Sequence, residues 1–238
     1  MSFRKFIKKE EFFHLYQPIY NLNDWTIIGN EGLIRSKKYH SPEETFNLAK
    51  TIKRLYELDI RSLLKAILTY QNEGFSRIDG KLFLNVFPST IQRSSFQTFI
   101  KFVMDDLQIP SQQIVLEINE SERIRDLSQF SKITRNLKKN GILIALDDIG
   151  RGISDFQKII ELEPDYIKVD RYFSDKLSHS NKKQALVQSL IKYCDDIQAK
   201  LILEGLETPI DLACAKIIGV PYGQGYILGK PRFLEKTV

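Results

Sequence analysis

The sequence holds only 2 Cys, 3 His, 2 Met and 1 Trp among its 238 residues. Cys194 and Cys214 are too few and too far apart for a disulfide framework or a thiolate metal site, and both read as inert, buried small hydrophobes. His14, His40 and His179 are scattered. No His-x-x-x-His or Glu-x-x-His pair brings two nitrogens to one helical face, which sets aside zinc chemistry and histidine acid–base catalysis. No apolar run approaches the roughly 20 residues that cross a bilayer. Arg4, Lys5, Lys8, Lys9, Glu10 and Glu11 interrupt the N-terminus before a signal-peptide core can form, so a cytoplasmic chain without membrane contact is expected. Excess charge is small, with 35 Lys+Arg against 30 Asp+Glu and a net charge of +5. The two signs interleave along helical stretches, which is a solvated surface and not the basic stripe that binds a nucleic-acid polymer.

What is present is an ample core: 42% of residues are hydrophobic and 27% charged. A single domain over residues 1–238 is expected, since about 250 residues is the usual size of one α/β barrel. Short apolar, β-branched runs recur at residues 16–20, 26–32, 82–86, 114–118, 141–146, 166–169, 201–203 and 225–228, eight strand candidates in all. Segments of helical periodicity lie between them, at residues 42–56, 59–72, 89–107, 127–139, 155–162, 182–198 and 209–218. Ser41 as N-cap, Pro42 in the first turn and Glu44 three residues after Ser41 form a capping box for the first. Alternation of strand and helix implies parallel βα units closed into a TIM-type (β/α)8 barrel. The first two strands are joined by Asn21 to Trp25 alone. That is hairpin length and too short for a parallel crossover, so an antiparallel first strand is expected.

In such barrels chemistry collects where the strands end. Here the second strand reaches Glu31, the third carries Asn85, and the fourth carries Glu117 with Glu120 beyond it. The fifth ends in Asp147-Asp148, the sixth holds Lys168 and Asp170, the seventh ends in Glu204 and the last begins beside Gln224. Clustered carboxylates repel one another unless a cation neutralises them, so a metal is implied. Oxygen donors without Cys or His select Mg²⁺ or Mn²⁺. Adjacent aspartates addressing different ions suggest two metals about 3.5 to 4 Å apart, suited to in-line displacement at phosphorus. Lys168 would add positive charge near the water or phosphate, and Arg35 is a candidate phosphate clamp.

These residues resemble the EAL-domain family of bacterial cyclic-di-GMP phosphodiesterases from about residue 13 to 233. Gln17-Pro18-Ile19 resembles the opening QPI, and Glu31-Gly32-Leu33-Ile34-Arg35 the name-giving EALLR. Asn85-Val86-Phe87-Pro88, Glu117-Ile118-Asn119-Glu120, Asp147-Asp148-Ile149-Gly150, Lys168-Val169-Asp170, Glu204-Gly205-Leu206-Glu207 and Gln224-Gly225-Tyr226 to Pro231 are similar, in order, to the family's later segments. The resemblance implies hydrolysis of cyclic di-GMP to linear pGpG by two ions. Glu31, Asn85, Glu117 and Asp147 would hold one, and Asp147, Asp148 and Glu204 would place the second. Lys168 would assist the attacking water, Gln224 would orient it and Glu120 would brace the loop after the fifth strand. Gln17, Leu33, Arg35, Asp170 and Pro231 would contact substrate. A homodimer through the loop after strand five is a family expectation. Gly32 replaces the alanine of the name motif, and the loop Asp148 to Phe156 departs from the family's DFGTGYSSL. A non-catalytic relative binding cyclic di-GMP or a protein partner is the alternative. A third reading is a barrel that enolises a carboxylate with one Mg²⁺ and a lysine base.

Overall fold

A computed structural model describes residues 2–74, 80–107, 109–119, 122–150 and 155–234, with the backbone alone for Asp155. The strands are β1 (Phe13–Asn21), β2 (Ile27–Arg35), β3 (Lys81–Val86), β4 (Ile114–Ile118), β5 (Leu143–Ile149), β6 (Tyr166–Val169), β7 (Lys200–Leu203) and β8 (Tyr222–Gly223). They close in sequence order into a barrel. β1 is antiparallel to both β2 and β8, and the other pairs are parallel. The short Asn21 to Trp25 connection thus produces the reversed strand that its length requires.

The helices that cover the barrel are α1 (Phe3–Lys8), α2 (Pro42–Thr51), α3 (Leu55–Asn72), α4 (Pro88–Ile91), α5 (Ser94–Asp105), α6 (Leu127–Lys139), α7 (Asp155–Leu162), α8 (Arg171–Ser174), α9 (Asn181–Asp196) and α10 (Pro209–Ile217). At the start of α2, Ser41 Oγ accepts from Glu44 N at 3.1 Å. Glu44 returns its carboxylate to His40 N at 2.8 Å. The capping box therefore closes one residue earlier than its ideal form. The single helix expected over residues 42–56 is two. Lys53 turns left-handed, with φ 57°. Arg54 N then reaches back to Ala49 O, which is a Schellman closure made without glycine. The helix expected over residues 89–107 is likewise split, by an extended Arg93.

The last strand is the main correction. β8 is Tyr222–Gly223, whereas residues 225–228, apolar and aromatic enough to read as a strand, form a turn in which Leu228 N and Gly229 N both bond Gly225 O. Gln224 therefore follows the strand and does not precede it. The chain turns there because Gly225 lies against the Leu206 backbone, which a Cβ would meet at 2.1 Å. The cysteines differ from one another. Cys194 is buried as expected, whereas Cys214 is only half-buried, because its side of α10 is not fully covered.

Side chains of a strand alternate between faces, and in the barrel this alternation stacks layers. Ile19, Phe83, Val115, Ala145, Tyr166 and Ile202 form one buried interior layer. A larger apolar shell separates the strands from the helices, and a third cluster around Phe6, Phe12 and Leu58 seals α1, α2 and α3. His14, on the outward face of β1, is buried against α3 and its Nε2 pairs with Ser62 Oγ at 2.9 Å. Burial and the nearby cations Lys65 and Arg35 push its imidazole down to about 3.

Gly225→Ala should lower stability by about 2 kcal/mol in urea unfolding. The reason is that backbone, and not a flexible side chain, blocks the added methyl. His14 takes a proton in the unfolded chain near pH 6.5 but only near 3 when folded. Stability is therefore lost as pH falls between those values, by at most about 1.4 kcal/mol per pH unit. His14→Gln should flatten that acid limb in denaturation measured from pH 7 to 4, and an unchanged limb would assign the sensitivity elsewhere.

Candidate functional site

One step of two residues beyond the apolar layer, toward the mouth, the interior becomes polar on every strand that contributes to that layer. Phe83 is followed by Asn85, Val115 by Glu117, Ala145 by Asp147, Tyr166 by Lys168 and Ile202 by Glu204. Tyr222, packed against the same layer, is followed by Gln224. On the reversed strand the count runs backward, from Ile19 to Gln17, whose register partner on β2 is Glu31. The period of two that buries one layer thus builds the next from acids, amides and a lysine.

Lys168 is its centre. Its side chain is 1% exposed, and the ammonium stands 2.8 Å from Glu204 Oε1, 2.9 Å from Glu117 Oε1, 3.1 Å from Asp147 Oδ1 and 3.2 Å from Glu31 Oε2. Asn85 Nδ2 donates to Glu31 Oε1 at 2.8 Å and to Glu117 Oε2 at 3.1 Å, while Gln224 Nε2 donates to Glu31 Oε2 at 2.8 Å. Burial works against the Lys168 charge, but Asp147, Glu117, Glu204 and Glu31 outweigh it and hold the ammonium well above its ordinary value. Burial pushes Glu117 and Glu204 up, and neighbouring carboxylates push further. Burial acts on Glu31 in the same direction, but Lys168 and the two amides carry it below the usual carboxylate range.

Asp148 joins the layer by a different route. Neighbouring residues of a regular strand face opposite ways, but β5 slips register against β6 between Leu146 and Ile149. Within that slip Asp148 is left-handed, with φ 55°. The bulge brings Asp147, Asp148 and Glu204 to one place, with a carboxylate oxygen of each within 4.8 Å of the others. A non-glycine residue held at positive φ carries strain, and such strain collects at functional sites.

An ammonium has three N–H bonds and here faces four carboxylates. Glu117 Oε1 and Asp147 Oδ1 are buried without a well-angled hydrogen bond. Once all five carboxyls are ionised, as metal ligation requires, they exceed the one ammonium by four negative charges, which two divalent cations would balance. Unsatisfied buried oxygens, an all-oxygen donor set and that charge fit hard divalent ions.

The layer lies between two recesses that share Glu31 and Asp148. One, of about 590 Å³, is walled by Leu33, Arg35, Phe46, Lys50, Phe87 and Asn119. The other, of about 270 Å³, is walled by Gln17, Asp170, Arg171, Glu207 and Tyr226. Of the expected substrate contacts, Gln17, Leu33, Arg35 and Asp170 therefore line a recess. Pro231 lines neither; it precedes Arg232, whose backbone bridges Tyr16. Several of the others already have structural partners. Gln17 Nε2 bonds Gly229 O at 3.0 Å, Arg35 Nη1 folds back onto Ile34 O at 2.8 Å, and Asp170 caps α8 through Tyr172 N at 2.8 Å. Glu120, the expected brace, and Arg151 to Ser154, most of the altered loop, lie outside the described residues. Gly32 leaves Glu31 in place, and a Cβ there would meet the tip of Leu84 at 3.3 Å and Ala66 at 3.7 Å. Lys50, from α2, and Arg171 had no sequence signal, since cations on a charged helix face look alike until packing selects among them.

Fold and layer together define a (β/α)8-type barrel with an acidic mouth. The EAL domain profile matches residues 2–231, and the chain belongs to that family. It is 29% identical to the cyclic di-GMP phosphodiesterase PA2567 of Pseudomonas aeruginosa, over 99% of this chain and 41% of that protein. It is 27% identical to the cyclic di-GMP phosphodiesterase PdeB of Shewanella oneidensis, over 95% of this chain and 27% of that protein. The chain thus spans well under half the length of these two curated relatives. Among solved structures it is similar to the manganese/cyclic-di-GMP complex of Klebsiella pneumoniae BlrP1 (TM-score 0.84, 26% identity, 93% of this chain, 56% of that one). It is also similar to a standalone EAL protein from Vibrio cholerae with cyclic di-GMP bound (TM-score 0.80, 26% identity, 93% of this chain, 92% of that one). No helix among the described residues is long and apolar enough to cross a membrane.

Replacing Lys168 by Met should destabilise the protein in EDTA by about 3 kcal/mol, because buried carboxylates lose the ammonium they share. Mn²⁺ should recover much of that loss. Equal melting temperatures of Lys168→Met and unmutated protein in EDTA would refute the central role given to Lys168.

Proposed function

We propose that this chain hydrolyses one phosphodiester bond of cyclic di-GMP, giving linear pGpG, with two Mg²⁺ or Mn²⁺ ions. The observation that carries the reading is the buried carboxylate layer with oxygens that a single ammonium cannot satisfy, open on both sides to a recess. The phosphodiesterases named among the relatives, and the manganese- and cyclic-di-GMP-bound neighbour, support it.

Glu31, Asn85, Glu117 and Asp147 would hold one ion, and Asp147, Asp148 and Glu204 the other. When bound, such ions lower the pKa of water and neutralise phosphate charge. The protein's own groups do the rest. Lys168, already at the carboxylates, supplies positive charge where the phosphate oxygens gather negative charge. Gln224, whose Nε2 is committed to Glu31, has a buried Oε1 without a hydrogen bond, an acceptor that would orient the attacking water. Attack at phosphorus forms one P–O bond and breaks the P–O3′ bond, and the water's proton leaves with the 3′-hydroxyl. The two recesses give the nucleoside arms separate places, with Arg35 and Leu33 on one side and Gln17 and Asp170 on the other. For a homodimer, the exposed Phe156 and Ile160 on α7 offer apolar surface.

Glu31→Gln should remove at least about 100-fold of the hydrolysis, read as pGpG by chromatography with Mn²⁺, while leaving the melting curve near that of the unmutated protein. One relative, the Escherichia coli protein BluF (24% identity over 91% of this chain and 53% of that protein), is named an antirepressor and not a phosphodiesterase, which keeps the binding-only alternative as the second reading. Cyclic di-GMP bound by unmutated protein without any pGpG would favour that alternative and overturn the hydrolytic reading.

A further inference from the structure

Asp59, on α3, lies outside the barrel, on neither recess and in none of the motifs that define the site. It is 1% exposed, and its Oδ2 accepts from the backbone N–H of Phe87 at 3.1 Å. Phe87 is the N-cap residue of α4. In a capping box the acid that accepts from an N-cap N–H stands three residues further on in the same helix. Here that position is Thr90, and the acid comes from α3 instead. Two further contacts fasten the same turn. Ser89 N donates to Glu122 at 2.7 Å, and Asn119 N donates to Val86 O at 3.1 Å, joining it to the segment after β4. The Phe87 ring packs on Phe46 with centroids 5.0 Å apart, under the ammonium of Lys50. The turn so anchored begins two residues after Asn85, whose single amide nitrogen must sit between Glu31 and Glu117.

We infer that Asp59 is a positioning residue for the acidic layer, holding the turn after β3 through Phe87 N so that Asn85 presents its amide to both carboxylates. The inference rests on the metal-binding reading above. Burying a carboxyl between α3 and the barrel is expensive unless it is bonded, and the one hydrogen bond that this carboxyl makes, from Phe87 N to Oδ2, comes from the turn after Asn85 and not from its own helix, while Oδ1 is buried without one. Burial pushes Asp59 up to about 7, so a neutral amide is a close substitute in charge as well as in shape. Groups that orient a metal ligand commonly change metal affinity about 10- to 100-fold when removed.

The test is calorimetric titration of Mn²⁺ alone into the purified full chain, beside its melting curve. Asp59→Ala should weaken Mn²⁺ binding by about tenfold, whereas Asp59→Asn, which keeps an acceptor for Phe87 N, should bind within about twofold of the unmutated protein. Should Asp59→Ala not fold, Asp59→Ser is read the same way, since its hydroxyl is too short to reach Phe87 N. A folded Ala or Ser variant with unmutated Mn²⁺ affinity overturns the inference, as does loss of folding in both, which would make Asp59 a residue of the fold alone. An Asn variant as weak as Ala also overturns it. Absence of Mn²⁺ binding by the unmutated protein would overturn the metal reading itself, and this inference with it.

Discussion

One ammonium among four carboxylates, at 2.8 to 3.2 Å, is the contact on which the mouth of this barrel depends. The interior below is filled by Phe83, Tyr166, Ile202 and their neighbours, so water reaches the acids from the open end. A buried carboxylate oxygen without a hydrogen bond is costly, and Glu117 Oε1 and Asp147 Oδ1 remain so even beside the ammonium and the two amides. The barrel thus closes around a negative potential that it neutralises only in part. That deficit is the feature on which the two-ion reading proposed above rests.

The surrounding structure aims that charge. Lys168 first, and then the amides of Gln224 and Asn85, hold Glu31 low, whereas Glu117 and Glu204 are pushed up. The bulge in β5 moves Asp148 onto the side that an even strand would deny it. The bare Cα of Gly225 allows the chain after β8 to pack on the Leu206 backbone, next to Gln224, whose amide is bonded to Glu31. Arg35 lines one of the recesses beside the centre and Asp170 the other.

Much of this was legible before folding. The alternation of strands and helices, the hairpin-length link after β1 and the polar residue at each strand end were readable because each is a local pattern: a period, a length or a spacing. The misreadings have local causes too. Residues 225–228 carry strand propensity, but Gly225 packs on the Leu206 backbone and the segment turns. Residues 42–56 show one helical period throughout, yet Lys53 adopts the left-handed conformation that sequence patterns reserve for glycine.

By itself the amino-acid sequence determined the donors and their phase. Asn85, Glu117, Asp147, Lys168 and Glu204 each follow an interior apolar residue by two positions, and a period of two needs no knowledge of the other strands. Only the tertiary structure decided that these phases share one height. Lys168 meets Glu31 across 137 residues and Gln224 meets it across 193, contacts set by the register of a closed barrel. The turn of Asp148, the two recesses and the reach of Asp59 to Phe87 were likewise decided there. Each depends on where one segment comes to rest against another distant in the chain, and local pattern carries no record of that.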